Sequence, residues 1–140
     1  MVEYSTRIRW TGGHGGELSC GNGAVLPFSA PTGLHGEAGV LTPEDAFVGA
    51  LNGCFMLMFL WACERMGIRL DAYESEAVGE VEERLDRTSA FGRIILRPRI
   101  TVKEADAPKV RRALQLAEKY SLIWQSVRAE VVLEPEIVRV

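Results

Sequence analysis

Tyr4, Thr6, Ile8 and Trp10 alternate with Ser5, Arg7 and Arg9, a period of two that predicts a half-buried strand over residues 4–10. Four glycines around His14 (Gly12, Gly13, Gly15, Gly16) then read as a turn. Glu17–Cys20 is a short returning strand, and after Gly21-Asn22-Gly23 a third strand covers Ala24–Phe28. Pro31, Gly33, Gly36 and Gly39 mark the stretch from Ser29 to Val40 as an irregular connection. The next segment has a different character. Thr42 stands at a helix cap, Pro43 takes the first helical position, and Glu44 and Asp45 follow. This is a Thr-x-x-Asp pattern close to a capping box, with its acidic pair at the positive end of the helix dipole. From Ala46 to Cys63 the one strongly polar side chain is Asn52, so the helix runs to about Met66, stops at Gly67 and is apolar on nearly every side.

Ile68–Leu70 leads into a long strand from Tyr73 to about Glu83. Its outward positions, Glu74, Glu76, Glu80 and Glu82, read as a solvated face rather than a cation site, because ligand geometry is absent. Phe91–Lys103 is a further strand in which Pro98 predicts an edge position or a bulge. Asp106 is expected to cap a second helix, with Pro108 in its first turn and Val110, Ala113, Leu114 and Ala117 as its buried stripe. A break near Tyr120-Ser121 precedes a short helical turn, and a last strand at about Val127–Leu133 ends in a polar tail. The order βββ-α-ββ-α-β predicts an α+β fold with antiparallel sheet, in one domain over residues 1–140. One sheet covers one face of the apolar helix. A partner subunit covering the other is the simplest completion, so an obligate homodimer is expected.

Composition narrows the setting. At 140 residues, 47% hydrophobic and 25% charged, the chain has the mix of a soluble globular domain, not of a disordered, collagenous or disulfide-stapled one. A formal net charge of −3 lacks the electrostatic footprint of a nucleic-acid binder. Three cysteines without a CxxC pair point to reduced thiols and a cytoplasmic setting. The opening Met1-Val2-Glu3-Tyr4-Ser5-Thr6-Arg7 has no secretory pattern. The Ala46–Cys63 run approaches the ~18–20 residues of a membrane span. It holds Gly49, Asn52 and Gly53 and lies between charged pairs and strands, so a buried core helix is the reading taken and no membrane is expected.

Most candidate chemistry dissolves on inspection. The glycine turn around His14 is followed by a strand, not by the helix of a dinucleotide fingerprint, and no Gly-Lys-Ser/Thr accompanies it. Spacings among His14, His35, Cys20, Cys54 and Cys63 match no metal-ligand pattern, and no Gly-x-Ser-x-Gly elbow is present. Cys54 is the exception. It follows Gly53 in the middle of the apolar helix, where Ala50, Asn52 and Gly53 would leave room for a substrate; its alternative reading is a small buried hydrophobe. A Cys54–Cys63 disulfide is excluded, because nine helical residues rise ~13.5 Å and bridged Cα atoms lie within ~7 Å.

Thr42-Pro43-Glu44-Asp45, then Ala50-Leu51-Asn52-Gly53-Cys54 with the cysteine ten residues after Glu44, and a long apolar helix ending at Gly67-Ile68 resemble the core signature of the OsmC/Ohr family, the osmotically inducible and organic hydroperoxide resistance proteins. The resemblance implies an α+β intertwined homodimer, two central helices wrapped by sheets of both subunits, and a site across the dimer interface. It implies that Cys54 is the peroxidatic nucleophile and Glu44 the carboxylate that holds a thiolate-stabilising arginine of the glycine turn. Attack on the O–O bond leaves a sulfenic acid, which the family's second cysteine condenses into a disulfide. This sequence departs twice: Ser121 stands in place of that cysteine, in Tyr120-Ser121-Leu122-Ile123-Trp124, and His14 in place of the arginine. Serine forms no disulfide, and imidazole lacks the guanidinium fork and its permanent charge. The expected function is thus a one-cysteine peroxide reductase for organic hydroperoxides, using Cys54, Glu44 and His14, an external small thiol and no cofactor or metal. Cys20 as an unorthodox resolving thiol is a minor variant. The alternative is a non-catalytic protein binding an apolar small molecule at the dimer interface, in a pocket lined by Phe55, Met58 and Trp124.

Overall fold

Alternation at the start of the chain builds a three-stranded antiparallel sheet of β1 (Thr6–Gly12), β2 (Gly15–Cys20) and β3 (Val25–Ser29), in that order. The computed structural model describes residues Met1–Val140 and divides them into two compact units, Met1–Phe47 and Val48–Val140. Between β1 and β2 the chain passes through Gly12 (φ 117°) and Gly13 (φ 52°), left-handed backbone that glycine adopts at little cost. Gly16 answers a different need, since a Cβ there would stand 2.7 Å from the Phe28 ring and 2.9 Å from the Arg9 carbonyl oxygen. The expected half-burial of β1 is not met. All seven of its residues are exposed, Ile8 by 57% and Trp10 by 74%, because neither face of the strand is covered.

The predicted cap opens α1 (Pro43–Met66). Thr42 Oγ1 accepts the Asp45 backbone N–H at 3.0 Å and donates to the Asp45 carboxylate at 2.8 Å. Gly67, at φ 67°, closes the helix. Its N–H and that of Ile68 return to the carbonyls of Glu64 and Cys63, a Schellman arrangement. The length and composition of α1 would suffice to cross a membrane. Here Leu51, Phe55, Phe59 and Ala62 are fully packed into a protein core, while Leu57 on another face stays 57% exposed.

The second unit adds β4 (Leu70–Glu83), β5 (Ser89–Val102), α2 (Val110–Tyr120), α3 (Leu122–Ser126), β6 (Glu130–Leu133) and β7 (Glu136–Arg139). Side chains from α1, from β5 (Ile94, Leu96, Ile100, Val102) and from the predicted α2 stripe (Val110, Ala113, Leu114, Ala117) form one core. Two expectations need correction. The sheet is mixed, not purely antiparallel: β5 runs antiparallel to β4 but parallel to β6 and to β7, the latter formed from the stretch expected to be a polar tail. Pro98 is neither on an edge nor at a bulge but buried in the central strand. Leu96 and Val102 accept from Glu134 and Val140, so even-numbered residues of β5 address the β6/β7 side. Pro98 meets that side in the interval between β6 and β7, where its missing N–H breaks no pair.

Register also gives the acidic strand its partners. Glu74, Glu76 and Glu80 lie opposite Arg99, Arg97 and Arg93, and the Glu80–Arg93 pair closes to 2.6 Å. These pairs are half exposed, as a solvated face requires, and each adds little to stability.

Asp106 does not cap its own helix. A 3-10 segment, Glu104–Lys109, displaces the start of α2 to Val110. The Asp106 carboxylate instead accepts the Arg69 backbone N–H at 2.9 Å and the Arg69 Nε at 3.2 Å, with Lys109 Nζ 3.6 Å away. The Arg69 N–H first, then its guanidinium and the Lys109 charge, hold this carboxyl below its ordinary range. A lowered folded-state value stabilises the native chain above the unfolded value of about 4, and the contribution is lost as pH falls through the folded value. Asp106→Asn should therefore be less stable than the wild type at pH 7 in urea unfolding, with the gap narrowing as the pH is lowered below about 4. A gap unchanged by pH would show that the charge of Asp106 contributes nothing.

Candidate functional site

Helical periodicity places Cys54, Met58, Trp61 and Arg65 on one stripe of α1, at i, i+4, i+7 and i+11. Cys54 is half-buried and its thiol is free. The chain leaves α2 at Ser121, whose Oγ caps α3 by accepting the Trp124 N–H at 3.3 Å. The same hydroxyl donates its proton to Cys54 Sγ at 3.2 Å, and Ser121 is wholly buried. Ser121 and Cys54, which the sequence resemblance matches to the family's two cysteines, are thus in contact. Cys63 is buried at 3% exposure, and burial, then the charge of Glu64, pushes its thiol up to about 11.

Asn52 does not leave space beside Cys54. Two residues of helix turn through ~200°, so the two side chains point to opposite faces. Asn52 Nδ2 donates to the Ser75 carbonyl at 3.1 Å, and the room beside Gly49 and Gly53 is a cavity of about 270 Å³ bounded by Met56, Tyr73 and Ser75. Tyr73 is pushed up to about 12 by burial, partly offset by the Ser75 hydroxyl. The apolar pocket expected from Phe55, Met58 and Trp124 is also rearranged. Phe55 and Trp124 pack ring to ring at 5.6 Å, Phe55 being 1% exposed, so that pair is core. Met58 lines a cleft of about 480 Å³ with Trp61, Arg65 and Tyr120, with the Arg65 guanidinium 5.2 Å from the Trp61 ring centre.

Glu44 occupies the first turn of α1, exposed and without an ion pair. In the first unit, His14 sits at the tip of the glycine turn, and its carbonyl accepts the Ala30 N–H at 3.0 Å. His35 meets it there, the two ring centres 5.7 Å apart, although nothing local in the sequence joined them. Both imidazoles are exposed and line a cavity of about 310 Å³. Cys20 lies on β2 in the same unit, opposite Thr6. No three metal-ligating side chains gather at any point.

Comparison with known proteins bears on family and fold. No curated protein matches in sequence. Among solved structures, an OsmC-like protein of unknown function from Vibrio cholerae superposes with a TM-score of 0.88 at 23% identity, covering 96% of this chain and 99% of that one. The organic hydroperoxide resistance protein OsmC of Legionella pneumophila gives 0.71 at 16% identity, covering 99% of each chain. OhrB of Bacillus subtilis, an organic hydroperoxide resistance protein, gives 0.64 at 18%, covering 95% of this chain and 97% of that one. The family model described as OsmC-like protein matches residues 36–136, a span that holds α1 with Glu44 and Cys54 and the α2–α3 junction with Ser121, and the chain belongs to that family.

Proposed function

We propose that this protein reduces organic hydroperoxides with Cys54 as its one redox thiol. The observation that carries the reading is the Ser121 hydroxyl donating to Cys54 Sγ. The thiolate attacks the outer oxygen of ROOH, the S–O bond forms as the O–O bond breaks, and the alkoxide leaves as ROH after taking a proton. Cys54 is then a sulfenic acid. Ser121 has no thiol to condense with it, so two equivalents of an external small thiol reduce it, giving their disulfide, water and the Cys54 thiol.

The rest of the site comes from a second copy in this reading. Ten residues of one helix separate Glu44 from Cys54, about 15 Å of rise, so the Glu44 carboxylate does not serve the Cys54 of its own chain, and the family resemblance suggests a site built across the dimer interface. Exposed Trp10, Phe47 and Leu57 supply apolar surface for that association. The family resemblance and the names of the Legionella and Bacillus relatives support a role in peroxide defence.

Three outcomes are expected. Cumene hydroperoxide should be consumed in the presence of excess dithiothreitol, and Cys54→Ser should abolish turnover; equal consumption by the variant would sink the reading. Ser121→Cys should place a second sulfur against Cys54 and yield an intramolecular disulfide on peroxide treatment, visible by mass spectrometry as a loss of two hydrogens. Its absence in a folded, active variant would mean that the two positions do not meet in solution. Light scattering should give twice the 15.5 kDa chain mass, and a monomer that nevertheless turns over would exclude the shared site.

A further inference from the structure

We infer that the cleft between the second half of α1 and the end of α2 is a binding site for an amphipathic organic anion, a carboxylate carrying an aromatic or short apolar body. The inference is independent of the peroxidase reading and needs neither Cys54 nor turnover. All of the residues involved belong to the second unit. Met58, Trp61 and Arg65 come from one stripe of α1 and Tyr120 is the last residue of α2, and together they line a cleft of about 480 Å³. The Trp61 and Tyr120 rings meet edge to face, their centres 5.4 Å apart and their planes 70° apart. Each ring also carries a cation. The Arg65 guanidinium stands 5.2 Å from the centre of Trp61, and Lys119 Nζ stands 5.2 Å from that of Tyr120.

Neither cation is engaged by a carboxylate. Every ion pair of the chain is formed by other residues, and Glu64 and Glu118, the acidic neighbours in sequence, join none of them. The helix ends are served from elsewhere. The N–H groups of Gly67 and Ile68 bond the carbonyls of Glu64 and Cys63 at the end of α1, and Gln125 Nε2 donates to the Glu118 carbonyl at 3.1 Å near the end of α2. Arg65 is exposed, and its guanidinium keeps the donors with which it can grip a carboxylate through two parallel N–H···O bonds. The walls supply the complementary part, since the Met58 thioether and two aromatic rings take up an apolar body. Charge sets this cleft apart. The charged group beside Gly49 and Gly53 is Glu74, and the carboxylate along the histidine-lined cavity is Glu37, so neither place offers an anion a permanent cation. Arg97 and Arg99 on the sheet are already paired with glutamates. Arg65 follows Cys54 by eleven residues, about 16 Å along the axis, so ligand and thiol occupy separate places.

Phenylbutyrate, phenylbutanol and acetate separate the parts of the site when each is titrated into the full-length protein and followed by its amide and indole NMR signals. Phenylbutyrate should bind once per chain with a dissociation constant on the order of 1 mM or tighter, shifting the Trp61 indole and Arg65 signals. Phenylbutanol keeps the body without the charge and acetate the charge without the body; each should bind about 10- to 100-fold more weakly. Arg65→Gln should lose phenylbutyrate affinity by the same factor, and Arg65→Lys, which keeps the charge but not the fork, should fall between it and the wild type. Should Arg65→Gln fail to fold, Arg65→Lys carries the test. Equal binding of phenylbutanol would reduce the cleft to an apolar surface and overturn the inference. Unchanged affinity in the Arg65 variants would overturn it, as would shifts confined to other parts of the chain. A wild-type protein that binds none of the three probes would have this cleft closed, by a second copy of the chain for instance, and the inference would fall.

Discussion

A helix of 24 residues without a polar face is the constraint on which the structure turns. Such a helix cannot be finished by a single layer. Sheet β4–β7 and α2 take the side that carries Leu51, Phe55, Phe59 and Ala62, and another side keeps Leu57 in contact with solvent. Each fully buried side chain of this size is worth about 1.5–3 kcal/mol relative to exposure, so leaving several uncovered forfeits much of the margin that holds a small domain together. The exposed apolar residues of β1 are of the same kind. In the proposed dimer a second copy would cover apolar surface of this kind that one copy leaves exposed.

The same helix fixes the chemistry's geometry. A nucleophile in the middle of a buried helix gains order but loses contact with charged groups, which the helix carries at its ends. In the proposed reading the one local partner of Cys54 is Ser121, a neutral donor itself held in place by capping α3. Cys63, on the same helix but with an acidic neighbour and no such donor, illustrates the default fate of a buried thiol.

What could be read from the residues divides by range. The Thr42 cap, the stop at Gly67 and the α2 stripe depend on neighbours within a turn or two, and each stands in the structure as the sequence pattern predicts. Asp106 carries a good local cap signature, yet its carboxylate serves the backbone N–H of Arg69, which lies 37 residues away. Pro98 obeys the rule that proline breaks a ladder; the gap that makes it harmless exists only because β6 and β7 take turns along β5. The strand β7 is too short and too polar at its start to announce itself. Cys54, Glu44 and Ser121 were legible through a motif, His14 through the turn it occupies. His35 was not, because its relation to His14 is created by the fold of three separate segments, β2, β3 and the connection after it.

Replacing a resolving thiol by serine separates two functions that one cysteine would combine. A second thiol at 121 would hydrogen-bond weakly to Cys54 and then, after oxidation, close a disulfide that a dedicated dithiol must open. A hydroxyl is the better donor and stays after oxidation, so the sulfenic acid persists until a thiol diffuses to it. In the proposed reading the first half-reaction keeps its nucleophile, while the second depends on an external thiol. Under this arrangement the rate at saturating peroxide is set by access of the external thiol to a half-buried sulfur. The Met58–Trp61–Arg65 cleft lies farther along the same helical stripe as Cys54.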